Sequence, residues 1–181
     1  MIDADTQVQR WLHKCVLALD LCPFAAPVVR DSTLRIQVSD AQGQPAQLNE
    51  FLAELDTLQT SGEAEIATTL LAFSSGPDAF PDFLELVDAA QELLVQAGLE
   101  GVVQLAHFHP EYCFADEAED DLSHYTNRAP LPIIHLLREN LMGRVLEAYP
   151  DPENIPSRNI ERLRALGREA IEQRWDQLSE N

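Results

Sequence analysis

Three short segments set the limits on this fold. Residues 33–39 (T-L-R-I-Q-V-S) alternate polar and apolar side chains, as a half-buried strand does. Residues 66–73 (I-A-T-T-L-L-A-F) are almost continuously apolar, the pattern of a strand covered on both faces. Residues 101–107 (G-V-V-Q-L-A-H) read as a third strand. Helical periodicity fills the gaps. Leu48, Phe51, Leu52, Leu55 and Leu58 share one side of a segment over 47–60, and a second amphipathic segment over 80–97 ends at Gly98. Ahead of all these, Val8, Trp11, Leu12, Cys15, Val16 and Leu19 form one apolar stripe over 6–20. Asp3, Asp5 and Thr6 are its N-cap candidates, and Leu21-Cys22-Pro23 stops it. Strands alternating with helices of this length predict an α/β fold, with a small, mainly parallel sheet of three to four strands flanked by helices. A fourth strand is expected near 23–30 or 111–115.

Pro130 and Pro132 predict a helix over 131–148, because proline is tolerated in a first helical turn. Pro150, Pro152 and Pro156 read as a linker, and 157–178 as a final helix carrying Ile160, Leu163, Leu166, Ile171 and Trp175. The expected organisation is an α/β domain over 1–149, then a linker and C-terminal helical extension over 150–181, packed on the domain or extending from it. A chain of 181 residues buries a sizeable core without metal or disulfide staples.

Charge narrows the function. Lys and Arg number 12 against 31 Asp and Glu, a formal charge of −19, and residues 36–127 contain no Lys or Arg. Such a surface repels phosphate backbones and anionic lipid, so neither nucleic acid nor membrane is an expected partner. No apolar run reaches the length of a membrane span. The opening Met1-Ile2-Asp3-Ala4-Asp5 lacks the basic and apolar regions of a signal peptide, so a cytoplasmic location is expected. Cys15, Cys22 and Cys113 are odd in number and form no C-x-x-C pair, which fits free thiols. A homo-oligomer is compatible with all of this.

Ligands of open parallel sheets bind beyond the carboxyl ends of the strands. The third strand runs into His107-Phe108-His109-Pro110-Glu111-Tyr112, the densest polar cluster of the chain. On a continued strand His107, His109 and Glu111 would face one way, a pattern suited to zinc or iron, although Pro110 works against regular pairing. His109 is equally a general acid/base candidate, or a hydrogen-bonded structural histidine. Thr126-Asn127-Arg128-Ala129-Pro130 opens the expected helix over 131–148, on which His135, Arg138 and Glu139 would share a face. Arg128, Arg138 and the helix N-terminus would together clamp a carboxylate or phosphate. The plainer alternative pairs Arg128 or Arg138 with the acidic segment 116–121. Cys22, at the end of the first helix, is a nucleophile or ligand only if a cation or imidazole activates it, and otherwise a buried thiol. Cys113, between Tyr112 and Phe114, reads as packed. There is no G-x-S-x-G, H-E-x-x-H or G-x-G-x-x-G.

Four motifs together are specific: Leu21-Cys22-Pro23-Phe24-Ala25; Thr68-Thr69-Leu70-Leu71; Phe108-His109-Pro110-Glu111-Tyr112 with Phe114-Ala115; and Thr126-Asn127-Arg128-Ala129-Pro130 through His135-Leu136-Leu137-Arg138-Glu139. On these the chain resembles an uncharacterised family of bacterial and plastid-related proteins, domain of unknown function 1415. The family pattern carries Cys22, His109, Asn127, Arg128, His135 and Arg138 but does not require His107. The resemblance therefore implies His109 with His135, rather than His107 with His109, as the histidine pair. The chain departs from the pattern at Ala129-Pro130-Leu131-Pro132, where a serine and a tyrosine are more typical. The resemblance brings no activity with it.

Three readings follow. One is an enzyme, a hydrolase among the options, acting on a small anionic molecule: His109, His135 and Cys22 would be catalytic, and Asn127, Arg128, Arg138, Tyr112 and Glu111 would hold the substrate. Another is a metalloenzyme with zinc or iron on His109 and His135 and on Glu111 or Cys22. The last is a non-catalytic module whose acidic loop and final helix engage a basic protein partner.

Overall fold

Asp3 starts the first helix. In the computed structural model, which describes residues 2–179, its carboxylate accepts the Thr6 N–H at 2.9 Å, as an N-cap does. Helix α1 (Ala4–Trp11) widens into a π-helical stretch, Leu12–Leu17, and a short α2 (Ala25–Arg30) follows. Then come β1 (Leu34–Ser39), α3 (Gln44–Thr60), β2 (Thr68–Phe73), α4 (Phe80–Gln96) and β3 (Val103–Phe108), in the predicted order.

The fourth strand is where a helix was expected. Ile133–Arg138 forms β4, and helix α5 (Glu139–Ala148) takes only the second half of 131–148. Residues 23–30 are largely α2, and 111–115 carry no strand. The run I-I-H-L-L fits either element by periodicity. Its position decides the matter: β4 lies between β2 and β3 in the order β1-β2-β4-β3, so both of its faces must be apolar. Pro132 stands just outside the ladder, its carbonyl accepting the Phe73 N–H at 2.9 Å. β1 and β2 are parallel, whereas β4 is antiparallel to both β2 and β3. The sheet is therefore mixed rather than purely parallel, with β1, β2 and β3 running one way and β4 against them.

One face is covered by α3 and α4, where Phe51, Leu55 and Phe83 pack on Leu71, Phe73, Ile134 and Leu136. The other is covered by the N-terminal helices and the chain's end, where Val8, Trp11, Cys15 and Leu178 pack with Leu70, Ala72 and Ile133. Neighbouring residues on a strand point to opposite faces. The pairings Leu70↔His135 and Ala106↔His135 therefore put these three side chains on the second face.

The helix expected over 157–178 is two helices, α6 (Ile155–Leu166) and α7 (Arg168–Ser179), separated by Gly167. Gly167 has φ +82°, a conformation in which a side chain is strained. Both helices pack on the body, burying Leu163, Ile171 and Leu178. They also cap the first helical segment. Asn159 Nδ2 donates to Leu21 O at 2.6 Å, Arg162 to the carbonyls of Leu19 and Asp20, and Arg174 to Lys14 O at 3.1 Å. Cations at a helix C-terminus complement its dipole and its open carbonyls.

Candidate functional site

Between the second sheet face and these outer helices lies a cavity of about 740 Å³, a size typical of small-molecule sites. Its floor is Leu34, Thr68, Leu70, Ala106, Phe108, His135 and Leu137. Because Leu34 and Thr68 open β1 and β2, it lies toward the amino ends of those strands and not beyond their carboxyl ends. Trp11, Leu12 and Val16 form one wall, Leu21 to Ala25 another, and Met142, Leu146, Ile155 and Ile160 the side nearest α5 and α6. The lining is predominantly apolar.

Cys22, Asn127 and His135 are the sequence-predicted residues that this cavity brings together. Thr68 Oγ1 donates to Leu136 O at 2.6 Å. Its one proton is thereby engaged, so His135 Nε2 must donate to the Thr68 oxygen, 2.7 Å away. His135 is thus a neutral imidazole with its proton on Nε2 and its Nδ1 lone pair open. Burial pushes its pKa down from 6.5 to about 4, since a low-dielectric site disfavours the charged ring. Asn127 braces the β3 exit: its Nδ2 donates to His107 O at 3.2 Å, and its carbonyl accepts the His109 N–H at 3.1 Å.

Burial also pushes the Cys22 thiol up, with the Phe24 and Ala25 N–H groups partly opposing the shift. Alkylation needs thiolate. Iodoacetamide at pH 7.5 is therefore expected to modify Cys22 at least about tenfold more slowly in the native protein than in urea-unfolded chain, read by peptide mass spectrometry. Equal rates would show an accessible thiol of ordinary pKa, and a faster native rate an activated one.

The remaining predicted residues lie elsewhere. His109 is fully buried on the opposite, α4 side of the sheet, stacked on Phe83 at 5.1 Å between ring centroids. Its Nδ1 accepts the Glu111 N–H at 3.0 Å, so Nε2 carries the proton and donates to Pro77 O at 3.1 Å. Both nitrogens are engaged by backbone, and burial lowers the ring's pKa. His107 also faces that side, stacked on Tyr112 at 5.5 Å, and Tyr112 is buried against Phe80. Glu111 is exposed. Among the described residues, no three His, Cys, Asp or Glu side chains are grouped to hold a metal ion.

The arginines do not form a clamp. His135 and Arg138, three apart on a strand rather than a helix, face opposite sides of the sheet. The Arg138 guanidinium donates to Leu58 O at 2.6 Å, Ser61 O at 2.9 Å and Ile66 O at 3.1 Å, closing the C-terminal end of α3. Arg128 is not at a helix start. Its Nε donates to Tyr112 O at 3.2 Å, and its guanidinium lies 4.6 Å over the Tyr125 ring. Nor does either arginine neutralise the acidic loop. Arg164 binds Asp121 at 2.9 Å and Glu117 at 3.2 Å, and Arg168 donates to Asp120 O.

Other contributors escaped the sequence reading. Thr68 sets the His135 tautomer, and Ser123 and Asn159 line the cavity. Buried His124 shapes the acidic loop, its Nδ1 accepting the Phe114 N–H at 3.1 Å and its Nε2 donating to Ala118 O at 2.8 Å. Only Thr68 carried a signal, as one of two adjacent threonines opening an apolar strand. No curated protein and no solved structure matches the chain. A family model matches residues 3–173, nearly all of the described chain. The chain belongs to the family described as Protein of unknown function (DUF1415).

Proposed function

We propose that the protein binds a small, largely apolar molecule in the cavity over the second sheet face, with Cys22 and His135 facing it. The observation that carries this reading is the cavity itself: about 740 Å³, walled by apolar side chains from the sheet and the outer helices, with a few polar groups at fixed places. The alternatives have less support. An anion clamp needs guanidinium groups at the ligand, and Arg128 and Arg138 are engaged by backbone carbonyls. An adaptor surface needs open acids, and part of the acidic loop is neutralised by Arg164. Cys22 and His135 are the reactive side chains on the walls, so a catalytic role for either would fall on the molecule held there.

The neutral dye Nile red tests the reading. Saturable one-to-one binding with blue-shifted emission is expected, and Ala106→Phe, which places a ring over the floor beside His135, should weaken it at least about tenfold while the melting transition survives. Binding that ignores this substitution, or does not saturate, would sink the proposal.

A further inference from the structure

The cavity wall carries groups that can only accept a hydrogen bond and that nothing among the described residues supplies with a donor. Trp11 Nε1–H goes to Arg128 O at 3.0 Å, Thr126 Oγ1–H to Ser123 O at 2.8 Å, and Thr68 and His135 satisfy their protons as described. Of what remains open, His135 Nδ1 and Asn159 Oδ1 can only accept, while the Ser123 hydroxyl both donates and accepts. His135 Nδ1 has no hydrogen-bond partner among the described residues. Ser123 Oγ and Asn159 Oδ1 are buried without one, and both residues are at least nine-tenths buried. The Asn159 amide gives one N–H to Leu21 O, and its oxygen has no donor among these residues. A buried acceptor without a donor is a cost that a ligand's N–H can remove.

Charge points the same way. Among the described residues lining the cavity there is no Lys or Arg, while Asp116 and Glu117 stand at its exposed edge. Glu117 shares Arg164 with Asp121, and Asp116 has no ion pair among the described residues. An anion entering here meets two carboxylates, one of them shared with Arg164, and no cation on the lining. An ammonium group meets carboxylates at the mouth and lone pairs within.

We propose that the ligand of this cavity is an apolar-bodied amine carried as its ammonium ion; this rests on the reading of the cavity as a binding site. Three probes of one shape separate the two ideas: 1-naphthylmethylamine, 1-naphthalenemethanol and 1-naphthoate, titrated calorimetrically into the full chain at pH 7.5 and low salt. The amine is expected to bind tightest, with the alcohol about fivefold and the carboxylate about thirtyfold weaker. Asp116→Asn with Glu117→Gln should bring the amine's affinity to within about twofold of the alcohol's and leave the alcohol unchanged. Ala106→Phe should weaken all three, and displacement of Nile red by the amine reads the same site without any substitution. If the alcohol or the carboxylate binds tightest and still displaces the dye, the amine assignment falls and the cavity reading stands. If none of the three binds, or if the amine binds without displacing the dye, the amine assignment falls, and the cavity reading falls with it only if Nile red binding also fails to saturate or ignores Ala106→Phe.

Discussion

Replacing Arg138 with methionine is expected to lower the free energy of unfolding by about 3 kcal/mol and to leave Nile red binding unchanged. The Arg138 guanidinium holds the carbonyls of Leu58, Ser61 and Ile66 where α3 ends and the chain turns toward β2. Methionine keeps the length of the side chain and strands those carbonyls in a partly buried place, and charge-assisted bonds of this kind are among the stronger ones. Lysine should recover only part of the loss, since an ammonium lacks the planar fork that reaches several carbonyls at once. Urea unfolding of the three proteins measures this. A loss below about 1 kcal/mol accompanied by abolished dye binding would return Arg138 to a ligand role.

Acid is expected to destabilise the fold through His135. An unfolded histidine takes up its proton near pH 6.5, whereas His135 in the folded chain does so only near pH 4. Between these values the unfolded state binds more protons, so stability decreases as the pH is lowered. The contribution is fully present above about pH 6.5, is lost progressively down to about pH 4, and amounts to about 3 kcal/mol. The buried rings of His107 and His109 are shifted in the same direction and add to the trend, while protonation of the many carboxylates relieves repulsion and acts against it. The difference between wild type and His135→Leu isolates the one ring. Unfolding curves at pH 7, 5.5 and 4.5 should show a shallower acid slope for the variant, by up to one proton. Parallel slopes would mean that His135 titrates alike in both states.

The three strands read from periodicity are present because each carries the pattern of its own surroundings: alternation in edge strand β1, continuous apolarity in central β2. β4 was not legible because Ile133 to Leu137 is apolar on either side of His135, and so short a run serves a buried strand or a helix equally. That single misreading moved the site. On a helix His135 and Arg138 would share a face; on a strand they part, one to the cavity and the other to the end of α3. The cavity was legible only in fragments. Cys22, Asn127 and His135 lie on its wall, but the wall is assembled from both ends of the chain, and Asn159 has no local pattern to mark it. The acidic loop was plain in the sequence while its counterions were not, because Arg164 and Arg168 reach it from more than forty positions away.

The place of β4 also governs how this chain can be made. β4 is the last strand in sequence, yet it stands between β2 and β3. Until residues 133–138 leave the ribosome, β1 with β2 and the separate β3 have nothing to join them, and each presents an unpaired edge. Exposed edges of apolar strands template wrong pairings between chains. The nascent chain up to about residue 130 is therefore two unjoined pieces, and one late strand of six residues turns them into a single sheet. A ribosome stalled before β4 would release a product prone to aggregate, and one stalled shortly after it would not.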